Sequence, residues 1–148
     1  MGVTRLEIDL KALKHNYSYL RAKVADNIKM MAVVKAFGYG SDACEIALFL
    51  EKLGVDYFAV AYADEGEILR KAGVKTPILV LHPQPDNFNI IIEHCLEPSL
   101  YSARVFKEFS AFAKAQQQKN YPVHLKFNTG LNRLGFWEND TDWILERL

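Results

Sequence analysis

The sequence predicts an α/β fold in which short parallel strands alternate with amphipathic helices around one hydrophobic core. Short apolar runs alternate along the chain with segments whose apolar residues recur at helical spacing. The length of 148 residues and the hydrophobic content of 50% are sufficient to bury such a core. Strands that alternate with helices at this spacing form right-handed βαβ units in a parallel sheet.

The first elements are a strand and a helix. Residues 3–9 alternate apolar and charged side chains, which is typical of a half-buried strand. Apolar residues then recur at helical spacing from Leu10 to Val24, so a helix follows.

The next unit contains the first site candidate. Residues 29–34 form a short apolar run that ends near Gly38 and Gly40, which predicts a strand followed by a turn. Ser41 or Asp42 can cap the helix after that turn.

The same pattern recurs along the rest of the chain. Strands are predicted at 57–60, 77–81, 96–101 and 123–127, and helices at 64–71, 88–92 and 105–118. Two parallel architectures fit this order of elements, the open doubly wound sheet and the (β/α)8 barrel, and both bind ligands at the carboxyl ends of the strands. Lys35 and residues 126–133 fall at two such ends.

Composition favours a small-molecule partner. Eighteen basic and eighteen acidic residues give a net charge of zero, which argues against nucleic acid or an anionic membrane as a partner. Cys44 and Cys95 lack CxxC spacing, and the four histidines lack the spacing of metal ligands, so we expect reduced thiols and no metal. No apolar run is long enough for a membrane span and no signal region is evident, so we expect a cytoplasmic protein.

Lys35 is the first candidate for chemistry. Because it closes an apolar strand, partial desolvation of its amine would favour imine formation with an aldehyde cofactor. The alternative is a solvated lysine at a strand end. Residues 38–43 (GYGSDA) also fit the relaxed dinucleotide pattern G-x-G-x-x-A, so a nicotinamide-binding domain is the alternative from another class. Two features argue against this alternative. A lysine precedes the first glycine, and no acidic residue ends the strand predicted at 57–60.

Lys126, Asn128 and Arg133 form the second candidate cluster. They lie at a strand end and in a glycine-containing loop, where a guanidinium could hold a carboxylate or a phenolic oxygen. An ordinary charged surface loop is the alternative interpretation.

Two motifs together resemble those of bacterial alanine racemases. Residues 32–40 (AVVKAFGYG) are similar to the family's lysine motif A-V-V-K-A-N-A-Y-G, and residues 124–135 (HLKFNTGLNRLG) are similar to H-L-K-V-D-T-G-M-G-R-L-G. The departures are Phe37 for the usual Asn, Asn128 for the usual Asp and Asn132 for the usual Gly. These departures are most similar to the branch in which the racemase is fused behind a Mur ligase.

The resemblance implies a (β/α)8 barrel of the TIM type, of which residues 1–148 would supply about the first five units. Lys35 would hold pyridoxal phosphate covalently and act as one acid–base group, and Tyr39 would help to position the cofactor phosphate. Arg133 would contact the substrate carboxylate and the cofactor. Lys126 would correspond to a lysine that is often carbamylated in this family, and it would orient Arg133. The expected activity is the conversion of L-alanine to D-alanine for peptidoglycan, in a homodimer.

The same resemblance implies that other parts of the enzyme lie outside this chain. The later strands, and a β domain that supplies the opposite-face tyrosine, are expected elsewhere, and residues 1–10 would pair with that domain. The isolated chain is therefore expected to be inactive. Serine as a further substrate stays open, and an amino-acid decarboxylase or a protein of pyridoxal phosphate homeostasis is the alternative within the fold.

Overall fold

A computed structural model describes residues 4–147 as a five-stranded parallel sheet with helices between successive strands. The strands are β1 (Met31–Val33), β2 (Tyr57–Val60), β3 (Ile78–Val80), β4 (Glu97–Leu100) and β5 (His124–Leu125). The helices are α1 (Leu10–Arg21), α2 (Ala43–Lys52), α3 (Ala63–Lys71), α4 (Phe88–Glu93), α5 (Ala103–Ala115) and α6 (Thr141–Leu145). Lys35–Gly40 forms a separate turn after β1, and single 3₁₀ turns occur at Pro85–Asn87 and Glu138–Asp140.

The order of the strands in the sheet distinguishes between the two predicted architectures. Each strand pairs with its successor in the chain, in the order β1-β2-β3-β4-β5. A doubly wound sheet reverses its strand order at a switch point, whereas a barrel adds strands in one direction. The chain therefore forms a partial barrel of the TIM type.

Local sequence signals account for where the helices begin. The carboxylate of Asp9 accepts from the backbone N–H groups of Lys11 and Ala12, and Asp42 caps α2 through Cys44 and Glu45. Of the two caps considered for α2, Ser41 and Asp42, the structure uses Asp42.

The hydrophobic core lies between the sheet and the helices. Phe58, Val60, Ile78 and Val80 are fully buried there. On the opposite face of β1, Met31 and Val33 remain 43% and 42% exposed. One face of the sheet is thus covered within this chain and the other is partly open, although parallel sheets are normally covered on both faces.

Residues 4–9, the described part of the strand predicted at 3–9, form no strand within this chain, and Val3 lies outside the described residues. The expected pairing of residues 1–10 with a further β domain stays a prediction. Residues 4–9 join no strand of the sheet, and Leu6 is 62% exposed. Alternation of side chains indicates a strand only where a neighbour provides hydrogen bonds, and no described residue pairs with this segment. The fifth strand is also shorter than predicted, because after Leu125 the chain makes only an isolated bridge between Phe127 and Phe136.

Candidate active site at the carboxyl ends of the strands

Lys35 lies at the carboxyl end of β1, as predicted. The backbone N–H of Val34 continues the ladder by donating to the carbonyl of Ala59 at 2.9 Å, and Val34 itself is buried. Lys35 is half-buried, and its amine makes no hydrogen bond or ion pair with another residue in the range 4–147. The amine is therefore not engaged by the described chain and could react with a ligand.

The turn after Lys35 is left-handed, which the sequence did not predict. Four successive residues, Ala36 to Tyr39, have φ values of 51°, 54°, 64° and 59°. A residue with a Cβ pays about 1–2 kcal/mol in this region, so Ala36, Phe37 and Tyr39 are all strained. Backbone strain of this kind clusters at functional sites. A Cβ on Gly38 would lie 3.3 Å from the Cα of Ala43, so the turn also approaches α2 closely.

Tyr39 and Phe37 project from this turn. They are 65% and 76% exposed, respectively. Tyr39 is thus available at the same rim as Lys35, but the described contacts do not include a bond between the two side chains.

Glu65, in the first turn of α3, lies beside Lys35 although the sequence did not predict it as a site residue. Its carboxylate accepts from the backbone N–H of Ala36 at 2.6 Å, and its other oxygen accepts from Ala61 at 2.6 Å and Tyr62 at 3.2 Å. The only signal in the sequence was an acidic residue at the start of a helix, which predicts a cap but not a bond to another loop.

Lys126 and Arg133 lie on the loop that follows β5. The loop is closed by two bonds of 2.8 Å, from Phe136 N–H to the carbonyl of Lys126 and from Asn128 N–H to the carbonyl of Phe136. Gly135 permits this closure, because a Cβ there would lie 2.6 Å from the backbone nitrogen of Asn128. Lys126 is half-buried, and Arg133 is exposed.

Two departures from the racemase motif bond to each other in this loop. Asn128 donates its side-chain amide to Oδ1 of Asn132 at 2.9 Å and accepts from the backbone N–H of Asn132, also at 2.9 Å. Asn132 has a φ of 56°, a left-handed conformation that asparagine tolerates better than most residues with a Cβ. The loop therefore keeps a closed shape with Asn at both positions.

The two candidate clusters share one rim but do not touch. β1 and β5 are the two outer strands of the sheet, so three strands separate Lys35 from Lys126 and Arg133. No ion pair within residues 4–147 involves any of these three side chains. The proposed pairing of a carbamylated Lys126 with Arg133 stays a prediction.

The chain matches the family model of the alanine racemase N-terminal domain over residues 8–148. It belongs to this family. Alanine racemase 1 of Caldanaerobacter subterraneus subsp. tengcongensis is 41% identical over 138 residues, which is 93% of this chain and 35% of that protein.

Solved structures of alanine racemases have the same fold. Alanine racemase of Clostridium difficile 630 superposes with a TM-score of 0.90 at 34% identity. The superposed region is 98% of this chain and 40% of the Clostridium difficile chain. Alanine racemase of Bartonella henselae with covalently bound pyridoxal phosphate superposes with a TM-score of 0.84 at 26% identity, over 95% of this chain and 41% of that one. The chain thus spans well under half the length of the alanine racemases it matches.

The dinucleotide alternative finds no support in this fold. Its glycine pattern would require a switch point in the strand order and a helix that opens within the glycine loop. The strand order does not reverse, residues 36–39 are left-handed, and α2 begins only at Ala43.

A second polar cluster lies at the opposite end of the sheet. Tyr57 donates to Glu97, and His124 Nε2 lies 2.7 Å from the same carboxylate oxygen. Burial and the bond to Glu97 raise the pKa of Tyr57. These residues begin β2, β4 and β5, away from the carboxyl ends where barrels bind ligands.

Residues 4–147 contain neither a metal-binding cluster nor a membrane-spanning helix. In that range no cluster of three or more His, Cys, Asp or Glu side chains is arranged to hold a metal ion. None of the helices there has the length and apolar composition to cross a membrane.

Proposed function

We propose that the full-length protein containing this chain interconverts L- and D-alanine with pyridoxal phosphate as cofactor. The observation that carries the proposal is the half-buried Lys35, which follows β1 at the rim where barrels bind ligands, in a chain of the racemase family. The Bartonella henselae racemase, which carries covalently bound pyridoxal phosphate, superposes on this chain with a TM-score of 0.84.

The residues at this rim fit the cofactor by their chemistry. An amine with no partner among the described residues can bond to an aldehyde, and an exposed guanidinium can hold an anionic group. When bound, pyridoxal phosphate withdraws electrons from the substrate's α-carbon and so allows its proton to be exchanged.

Each side chain would then have a distinct task. Lys35 holds the cofactor and moves the α-proton on one face of the substrate. Arg133 binds the substrate carboxylate and a cofactor oxygen, and Lys126, if carbamylated, becomes an anion that orients Arg133. Tyr39 contributes to binding of the cofactor phosphate.

Inversion also requires a group that this chain does not supply in the proposed scheme. A proton removed on one face must be returned on the other, so the second acid–base residue would come from the rest of the enzyme, across a homodimer. The product, D-alanine, would serve peptidoglycan synthesis in the cytoplasm.

Reductive labelling of the full-length protein tests the proposal directly. Pyridoxal phosphate is added, the linkage is reduced with borohydride, and the modified peptide is located by mass spectrometry. We expect one pyridoxyl group on Lys35, its loss in Lys35→Ala, and unchanged labelling in Lys29→Ala, a control at an exposed lysine two residues before β1. Labelling of a different lysine, or tight nicotinamide binding without labelling, would refute the proposal.

A further inference from the structure

The carboxylate of Glu65 joins two loops at the rim of the sheet. One oxygen accepts from the N–H of Ala36 at 2.6 Å, in the residue that follows Lys35. The other accepts from Ala61 at 2.6 Å and from Tyr62 at 3.2 Å, in the loop after β2. Glu65 is half-buried; its bond to Ala61 is partly buried, whereas its bonds to Ala36 and Tyr62 are exposed.

Apart from backbone bonds within the turn and to Val34, the turn that follows Lys35 has one hydrogen bond to another part of the described chain, from Ala36 to Glu65. It is strained at its residues with a Cβ, and its backbone is anchored by a bond of 3.0 Å from the N–H of Gly38 to the carbonyl of Val34. Phe37 and Glu65 line a cavity of about 540 Å³ between the turn and α3, so close packing does not fix the turn from that side. Hydrogen bonds to a charged group are stronger than neutral ones, and the Glu65 bond can offset part of this strain.

We propose that Glu65 is a positioning residue for Lys35. By holding the N–H of Ala36 against the loop after β2, the carboxylate fixes the backbone at the point where the lysine leaves β1, and thereby the direction of its amine. The proposal rests on the proposed function of Lys35. It adds that the acid–base lysine is aligned by an acidic side chain from the next βα unit.

Two substitutions separate this role from that of a helix cap. Glu65→Gln keeps the size but replaces one acceptor oxygen by an NH₂ group, so it cannot accept from both loops at once. Glu65→Asp keeps the charge beside Tyr62 but withdraws the carboxylate by one methylene from Ala36. The matched control is Glu51→Gln, because Glu51 Oε1 also accepts from two backbone N–H groups, those of Lys75 at 2.7 Å and Thr76 at 2.6 Å, just before β3 at the opposite end of the sheet.

The first measurement needs no cofactor. Residue-resolved amide exchange of the full-length protein without pyridoxal phosphate should show exchange at Ala36 faster by about tenfold or more in both Glu65 variants. Glu51→Gln should leave the exchange rate at Ala36 unchanged while lowering the urea midpoint.

The second measurement tests the consequence for Lys35. With pyridoxal phosphate bound, both Glu65 variants should show slower reductive labelling of Lys35 and a kcat lowered by about tenfold. Their KM for alanine should stay within about twofold of wild type, because neither variant changes the contact between Arg133 and the substrate carboxylate. Glu51→Gln should match the wild type in both readouts. Should Glu65→Gln not accumulate as folded protein, Glu65→Asp carries the same test.

The outcomes separate this inference from the proposed function. Unchanged exchange at Ala36, or a kcat that falls no further in the Glu65 variants than in Glu51→Gln, overturns the positioning role. Absence of labelling on Lys35 in the wild type overturns the proposed function instead, while the exchange rate at Ala36 still decides whether Glu65 holds the turn.

Discussion

Gly135 and Gly130 make a matched pair that tests how the Arg133 loop is closed. Both glycines have nearly the same φ, 126° and 129°, in the range that favours glycine. A Cβ on Gly130 would meet nothing within 4 Å, whereas a Cβ on Gly135 would lie 2.6 Å from both the nitrogen of Asn128 and the carbonyl carbon of Phe127. The two alanine substitutions therefore share the conformational strain and differ in the steric overlap.

The expected costs follow from these two contributions. Placing a Cβ at such a φ costs on the order of 1–3 kcal/mol, and this applies to both variants. Overlap with backbone atoms cannot be relieved by a change of rotamer, so Gly135→Ala should lose a further amount of roughly 1–3 kcal/mol. The overlap should push apart the two backbone segments that are bonded at Phe136, and Arg133 in the same loop should be displaced as well.

Urea unfolding of both variants in the full-length protein measures the difference in free energy of unfolding. Alanine kinetics should show a higher KM for Gly135→Ala than for Gly130→Ala, because only the former displaces the guanidinium. Equal stability losses in the two variants would refute the argument that Gly135 is required for close backbone approach.

Three further predictions concern the binding side chains, acid stability and the isolated chain. Arg133→Ala should raise the KM for alanine and lower turnover through loss of a charge-assisted bond of roughly 1.5–3 kcal/mol. Lys126→Ala should have a smaller effect, which added acetate or chloride should partly reverse. Unchanged kinetics in Arg133→Ala would show that this loop is ordinary surface. Burial raises the pKa of Glu51, but hydrogen bonds from Thr76 and Lys75 outweigh it and hold the pKa below its ordinary value. The wild type should therefore be more stable than Glu51→Gln above about pH 4.3 and lose that advantage as the pH falls through the lowered pKa. A difference in urea midpoint between the wild type and Glu51→Gln that is the same at pH 7, 5 and 3 would contradict this. The purified chain of 148 residues should self-associate through its open sheet edges and face, and show no racemisation; a monomer in size-exclusion chromatography, or inversion of alanine, would argue against it.

The sequence alone determined the order of the elements and the strand ends that carry the candidate residues. The strand predicted at 57–60 coincides with β2, and the helix predicted at 64–71 differs from α3 by one residue at its start. These elements are predictable because apolar spacing and caps act over a few neighbouring residues. The placement of Lys35 after an apolar strand was predicted for the same reason.

Tertiary structure decided the features that depend on distant partners. The doubly wound sheet and the barrel share the same local patterns, so only the pairing of each strand with its successor distinguished them. Residues 4–9 alternate like a strand but have no neighbour within the described chain. Gly38 and Gly40 predict a turn, but no local signal predicts that Ala36, Phe37 and Tyr39 are left-handed as well. Glu65, which accepts from the N–H of Ala36, lies 29 positions away along the chain. A contact of that separation forms only when folding brings two loops to the same rim, which no spacing in the sequence records.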